Sequence, residues 1–179
     1  MLTTTNTITL VIDFQERMVP SIGDSAEIIR KSAIFIEGSS ILGLPTLTTQ
    51  QYTKGLGETV AEIKTALGEF EAIEKITFSC FGCEEFEEKL GKAGKKNVLI
   101  TGVETHICVQ QTVLHLLEHG YNVYVLADCV GSRFEYDKKI SLKRMAAAGA
   151  VITTAESALF EMMVSADHPC RKAISNLAK

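Results

Sequence analysis

Positive charge is in short supply. The 179 residues hold 18 Lys and Arg against 22 Asp and Glu, a formal net charge of −4. That balance argues against the basic patch that a nucleic acid or an anionic membrane surface would call for. Apolar residues never run on for the ~18 positions of a membrane span, so no membrane partner is expected. The opening stretch MLTTTNTITLVIDF lacks the basic segment and small-residue cleavage site of a signal peptide, and a strand is expected to begin almost at once. Five cysteines at irregular spacing do not form a disulfide framework. Reduced thiols, and with them a cytoplasmic protein, are the expectation. Internal repeats, low-complexity tracts and linkers are also missing, so residues 1–179 are read as one domain.

What is present is an alternation of strand-like and helix-like segments. ITLVIDF (8–14), PTLTTQ (45–50), NVLITGV (97–103) and YNVYVLADCV (121–130) are rich in strand formers. The first, third and fourth are nearly continuous apolar runs, as in strands buried on both faces of a parallel sheet. Helical patterns cover 25–43, 84–94, 105–120 and 137–150, with AVITT (150–154) a further short strand and 57–67 a possible short helix. Gly120 is placed to act as a left-handed C-cap. The order predicts an α/β fold with helices on both faces of a mostly parallel sheet of five or six strands. Ligands of such sheets bind beyond the carboxyl ends of the strands. Asp13, Gln50, Gln51, Cys108, Asp128 and Cys129 all fall there.

Three of the polar residues could carry chemistry, and each has an ordinary reading beside it. Asp13 ends a buried strand, where a carboxylate needs a partner or a shifted pKa; it could equally cap a helix or anchor a loop. Lys75 lies in EKITFSCF and could simply be exposed. Cys108 stands just inside a predicted helix, where the helix dipole favours thiolate and free N–H groups could hold an oxyanion. It could equally be a packing thiol, because free cysteine is commonly buried. Other patterns carry less. Cys80 and Cys83 form a CxxC with no second pair, and His115 and His119 lack a third ligand. Gly55 and Gly57 fit neither phosphate-binding glycine motif. No metal and no cofactor are expected.

Taken together, VIDFQERM (11–18), TTQQYTKGLGET (48–59), EKITFSCF (74–81), ITGVETHICV (100–109), ADCVGSR (127–133), AAAGAVITTAESALFEM (146–162) and DHPCRKAI (167–174) resemble the isochorismatase-like cysteine hydrolases, and most closely their isochorismatase-domain-containing subgroup. The resemblance implies a three-layer, Rossmann-like α/β/α sandwich and a catalytic triad of Asp13, Lys75 and Cys108. It also implies a cis peptide between Val103 and Glu104 that turns the Glu104 and Cys108 N–H groups into an oxyanion hole. Gln15, Gln50, Gln51, Tyr52, Phe78 and Phe81 are candidates to line a pocket for a small, mostly neutral substrate. The metal-binding members carry histidines after strand two, whereas this chain reads TTQQYTKGLG. Isochorismatases proper lack the nucleophilic cysteine, so Cys108 speaks against their reaction. The resemblance therefore implies a metal-independent hydrolase of a small amide or ureido C–N bond, assembled as a homo-oligomer. A catalytically quiet binding protein and a true isochorismatase are the alternatives.

Overall fold

In a computed structural model of the chain, the described residues are 1–177; the last two positions of the expected 1–179 domain lie outside them. Six parallel strands form one sheet: β1 (Thr7–Ile12), β2 (Thr46–Gln51), β3 (Ala72–Lys75), β4 (Asn97–Val103), β5 (Asn122–Gly131) and β6 (Val151–Thr153). Their spatial order is β3-β2-β1-β4-β5-β6. The chain winds outward from β1 in one direction, then returns to β4 and winds outward in the other. Between β1 and β4, therefore, lies the switch point at which such sheets form a crevice.

Eight α-helices flank the sheet among the described residues: α1 (Ser25–Ile41), α2 (Thr53–Leu56), α3 (Ala61–Leu67), α4 (Glu84–Ala93), α5 (Gln110–Glu118), α6 (Glu135–Ala147), α7 (Ala155–Met163) and α8 (Arg171–Leu177). Side-chain alternation along β1 shows how the layers form. Ile8, Leu10 and Ile12 pack with Phe86 and Leu90 of α4, Val113 and Leu116 of α5, and Met145 of α6. Val11 points the other way, onto Ile28 and Ile36 of α1 and Ile63 of α3. Farther along that second face, Leu99 and Leu126 meet Phe35 of α1, Leu159 of α7 and Ile174 of α8. A strand sandwiched in this way has no polar face, which is why β1 and β4 are buried at every position.

Sequence expectations and structure differ in three places. β3 is a four-residue edge strand whose Glu74 faces solvent, too short and too polar to stand out as an apolar run. Cys108 sits not in regular α-helix but in a π-helical turn, Thr105–Val109, that leads into α5. β5 matches the expected 121–130 strand to within a residue at each end, but its register against β4 shifts between Ile100 and Gly102, an irregularity that the strand pattern does not announce. There Asp128 Oδ1 accepts from the Ala155 N–H at the start of α7, a structural role. The C-cap expectation holds, with Gly120 at φ 76° just beyond α5.

One glycine brings the two central strands together. A Cβ on Gly102 would stand 2.7 Å from Ile12 Cβ and 2.8 Å from Ile12 O, closer than atoms pack. Only a hydrogen lets β1 and β4 end side by side at the switch point.

Candidate active site

Three strands leave the sheet by the same device. Asp13, Tyr52 and Glu104 directly follow β1, β2 and β4, and all have positive φ, at 57°, 40° and 55°. Left-handed backbone is unfavourable for such residues and tends to gather at functional sites. The Val103–Glu104 peptide is not cis: the described residues contain no cis peptide. The expected isomer is corrected here, because the left-handed Glu104, at ψ 61°, makes the turn from strand to π-helical turn.

Asp13 and Lys75 meet in the crevice. Lys75 ends β3, two strands from β1, a lateral span of about 9–10 Å at ordinary strand spacing. Its long side chain crosses β2 and donates to Asp13 Oδ2 at 2.6 Å, with both side chains fully shielded from solvent. On the way it donates to Gln51 Oε1 at 2.8 Å, and beyond it to Phe78 O at 3.0 Å and Thr77 O at 3.3 Å. The second Asp13 oxygen accepts from Thr49 Oγ1 at 2.8 Å. A buried ion pair is tolerated only when its remaining valences are met in this way.

Cys108 lies within the field of both charges and is itself buried, at 3% exposure. Burial is the main cause of a thiol pKa raised well above its usual range; the Asp13 carboxylate adds to it, and the Lys75 ammonium only partly offsets both. That direction opposes the pull toward thiolate expected of a helix start. For Lys75, burial pulls the pKa down, but the charge of Asp13 and the neighbouring thiols outweigh it and raise it overall. Cys80 stands in the same buried cluster, its pKa pushed up to about 12 by burial and by Asp13.

The three glutamines have their amide groups hydrogen-bonded within the protein. Gln15 Nε2 donates to Gln51 O and Gly57 O, at 3.0 and 2.7 Å, while its Oε1 accepts from the Gln51 N–H at 2.7 Å. Gln50 holds Thr53 and Thr59, and Gln51 bridges Ile76 O and Lys75. These amides tie loops together, as buried amides must when every polar atom needs a partner. Tyr52 and Phe78 are half exposed, at 49% and 54%. Phe81 is not with them: its ring stacks on His119 with centroids 4.4 Å apart and meets Phe86 and His115 edge-on, an α4–α5 contact. Two cavities lie away from Cys108, one of about 250 Å³ beside Ser40, Thr46 and Phe70 and one of about 380 Å³ between α1 and α3.

Sequence reasoning passed over Thr49, Thr112 and Arg133. Thr49 alone could have been found, one strand residue before the glutamines and opposite Ile12, the neighbour of Asp13, across a parallel pair. Arg133 Nε binds Glu104 Oε1 at 2.7 Å, and so holds the carboxylate of the turn residue. His106 Nδ1 lies 3.1 Å from Ser132 Oγ on the same side. Among the described residues no group of three or more His, Cys, Asp or Glu could hold a metal, and no helix is long and apolar enough to cross a membrane.

A parallel sheet that brings a carboxylate, an ammonium and a thiol together at its switch point defines an α/β protein with a candidate site at the strand ends. Residues 7–157 match the isochorismatase domain, and the chain belongs to the isochorismatase family. A zebrafish (Danio rerio) isochorismatase domain-containing protein 1 is 39% identical over 168 residues, 93% of this chain but 59% of its own length. The chain thus spans about three fifths of the curated relatives it first matches. Of solved structures, a MAR1 ribonuclease from Caenorhabditis elegans is similar at TM-score 0.92 and 39% identity, covering 98% of this chain and 91% of that one. The YcaC product of Escherichia coli, an octameric hydrolase of unknown specificity, superposes at TM-score 0.89 and 25% identity, over 99% and 87% of the two chains.

Proposed function

We propose that the chain is a cysteine hydrolase that cleaves a small amide, ureido or related C–N bond through a thioester on Cys108. The observation that carries the reading is the buried Asp13–Lys75 pair coupled to the Cys108 thiol. A thiol whose pKa is pushed up needs a base, and Asp13 is the adjacent carboxylate. When a carbonyl enters, Asp13 takes the thiol proton as sulfur attacks, and Lys75 holds the carboxylate in place. The oxyanion falls to the N–H groups of Glu104 and Cys108, at the start of a helical segment where the first donors lack intrahelical partners. Protonated Asp13 returns its proton to the departing amine, and water then releases the acid from the thioester. Acid, base and nucleophile all come from side chains.

Size and charge favour a small substrate. Although a similar structure is described as a ribonuclease, this chain's net charge of −4 and its shielded thiol do not suit a polyanion. A homo-oligomer is part of the proposal, on the likeness to the octameric YcaC product. A cytoplasmic setting is supported by the five free thiols among the described residues. The test is ammonia release from a panel of small amides, ureido compounds and carbamoyl amines, wild type beside Cys108→Ala. Turnover that the substitution abolishes is expected. Failure of the wild type on every compound, or equal turnover by both proteins, would count against it.

A further inference from the structure

Beneath the charged pair, α5 reaches across to the loop that cradles Lys75. Thr112 is fully buried, and its Oγ1 donates to Cys108 O at 2.7 Å. That bond alone would be the ordinary back-bond of a helical threonine to the residue four before it. The same oxygen, however, accepts the backbone N–H of Cys80 at 3.0 Å, across 32 residues of sequence. One turn farther on, His115 Nδ1 pairs with Ser79 Oγ at 2.8 Å, and Ser79 Oγ in turn accepts the Phe81 N–H at 3.1 Å. Residues 79–81 are therefore held by two side chains of α5. Directly before them stand Thr77 and Phe78, whose carbonyls accept from Lys75 Nζ. The Cys80 thiol packs between the hydroxyls of Thr112 and Thr49, and Thr49 holds Asp13. A single hydroxyl thus joins the turn bearing the thiol to the loop bearing the ammonium's acceptors.

We infer that Thr112 is a positioning residue that fixes Lys75 relative to Cys108, through its paired hydrogen bonds to Cys108 O and the Cys80 N–H. It touches no substrate. Its effect on the thiol passes through the Lys75 cradle, and the inference deepens the hydrolase reading by resting on the same three residues. Without the hydroxyl, the Cys80 N–H has no partner, the 77–80 segment shifts, and Lys75 no longer helps Cys108 to ionise.

The experiment reads thiol reactivity and not turnover, so it stands whether or not a substrate is found. Iodoacetamide alkylation of Cys108, followed by peptide mapping across pH 7–10, is measured for wild type, Thr112→Val, Thr112→Ser, Lys75→Met and the Thr112→Val/Lys75→Met pair. Thr112→Val should slow alkylation roughly tenfold, within the ~10²-fold that misplacement of about 1 Å can cost. Thr112→Ser, which keeps the hydroxyl, should restore it. The double variant should react no more slowly than Lys75→Met alone, because both changes remove the same influence. A purely structural threonine would lower stability but leave the rate unchanged, or would multiply with Lys75→Met; either result overturns the inference. Should Thr112→Val fail to fold, hydrogen exchange on the wild type decides. The Cys80 amide should be protected to the level of the α5 amides, and free exchange at that amide would refute the bond on which everything here depends.

Discussion

Replacing Lys75 by methionine keeps an unbranched side chain in place but deletes the ammonium. In the wild type that ammonium serves Asp13, Gln51, Thr77 and Phe78 at once, with no solvent exposure. The substitution leaves Asp13 buried, with Thr49 as its remaining side-chain donor. Breaking a buried pair from one side costs ~3–5 kcal/mol, because the other charge is stranded in a poor solvent. Against a total stability of ~5–15 kcal/mol this is a large share. With a urea slope near ~2 kcal/mol per molar, the denaturation midpoint should fall by about 2 M. Asp13→Asn should cost a similar amount, and the double variant less than the sum of the two. The pH dependence has a definite sign. The folded pKa of Lys75 is raised, so its contribution is fully present below the unfolded value of ~10.4 and is lost only as pH rises through the folded one. The gap between wild type and Lys75→Met should therefore hold steady across neutral pH and narrow above pH ~10.5. A loss below ~1 kcal/mol, the level of an exposed pair, would refute the reasoning.

Cys80 makes a related prediction: with its pKa held near 12, wild-type stability should decline from about pH 8.5 upward, and Cys80→Ala should decline less steeply in urea titrations at pH 9–11. Gly102→Ala should cost ~1–3 kcal/mol by overpacking against Ile12, seen as a lower Tm, and should slow Cys108 alkylation by parting β1 from β4. Gln15→Leu removes three hydrogen bonds, two buried ones to Gln51 and a partly buried one to Gly57. A loss of ~1–3 kcal/mol is expected in chemical denaturation, with no direct effect on substrate selectivity.

The sheet was legible where burial writes its own pattern. β1 and β4 are sealed on both faces, and their nearly continuous apolar runs say so, as does the largely buried β5. β3 escaped because an edge strand of four residues needs neither length nor an apolar outer face. The π-helical turn at Cys108 escaped too, since nothing in helical periodicity separates it from the first turn of α5. Of the candidate site, the strand-end rule marks Asp13 and the region of Cys108, but the partnership of Asp13 with Lys75 joins residues 62 apart, and family resemblance, not spacing, pointed to it. For the glutamines the sequence leaves the role open, since an amide suits a ligand and a loop tether equally well, and only the folded chain shows its hydrogen bonds filled. The upward push on the Cys108 thiol was out of reach as well, because its desolvation depends on a burial that no local stretch reveals.

The most direct test of the central claim is acid-quenched peptide mapping of the wild-type protein during turnover of the amides and ureido compounds of the panel. The account predicts a hydroxylamine-labile acyl mass on the Cys108 peptide, formed within one turnover and absent from Cys108→Ala. Turnover that proceeds with Cys108 replaced, or with no acyl group ever found on Cys108, would contradict it.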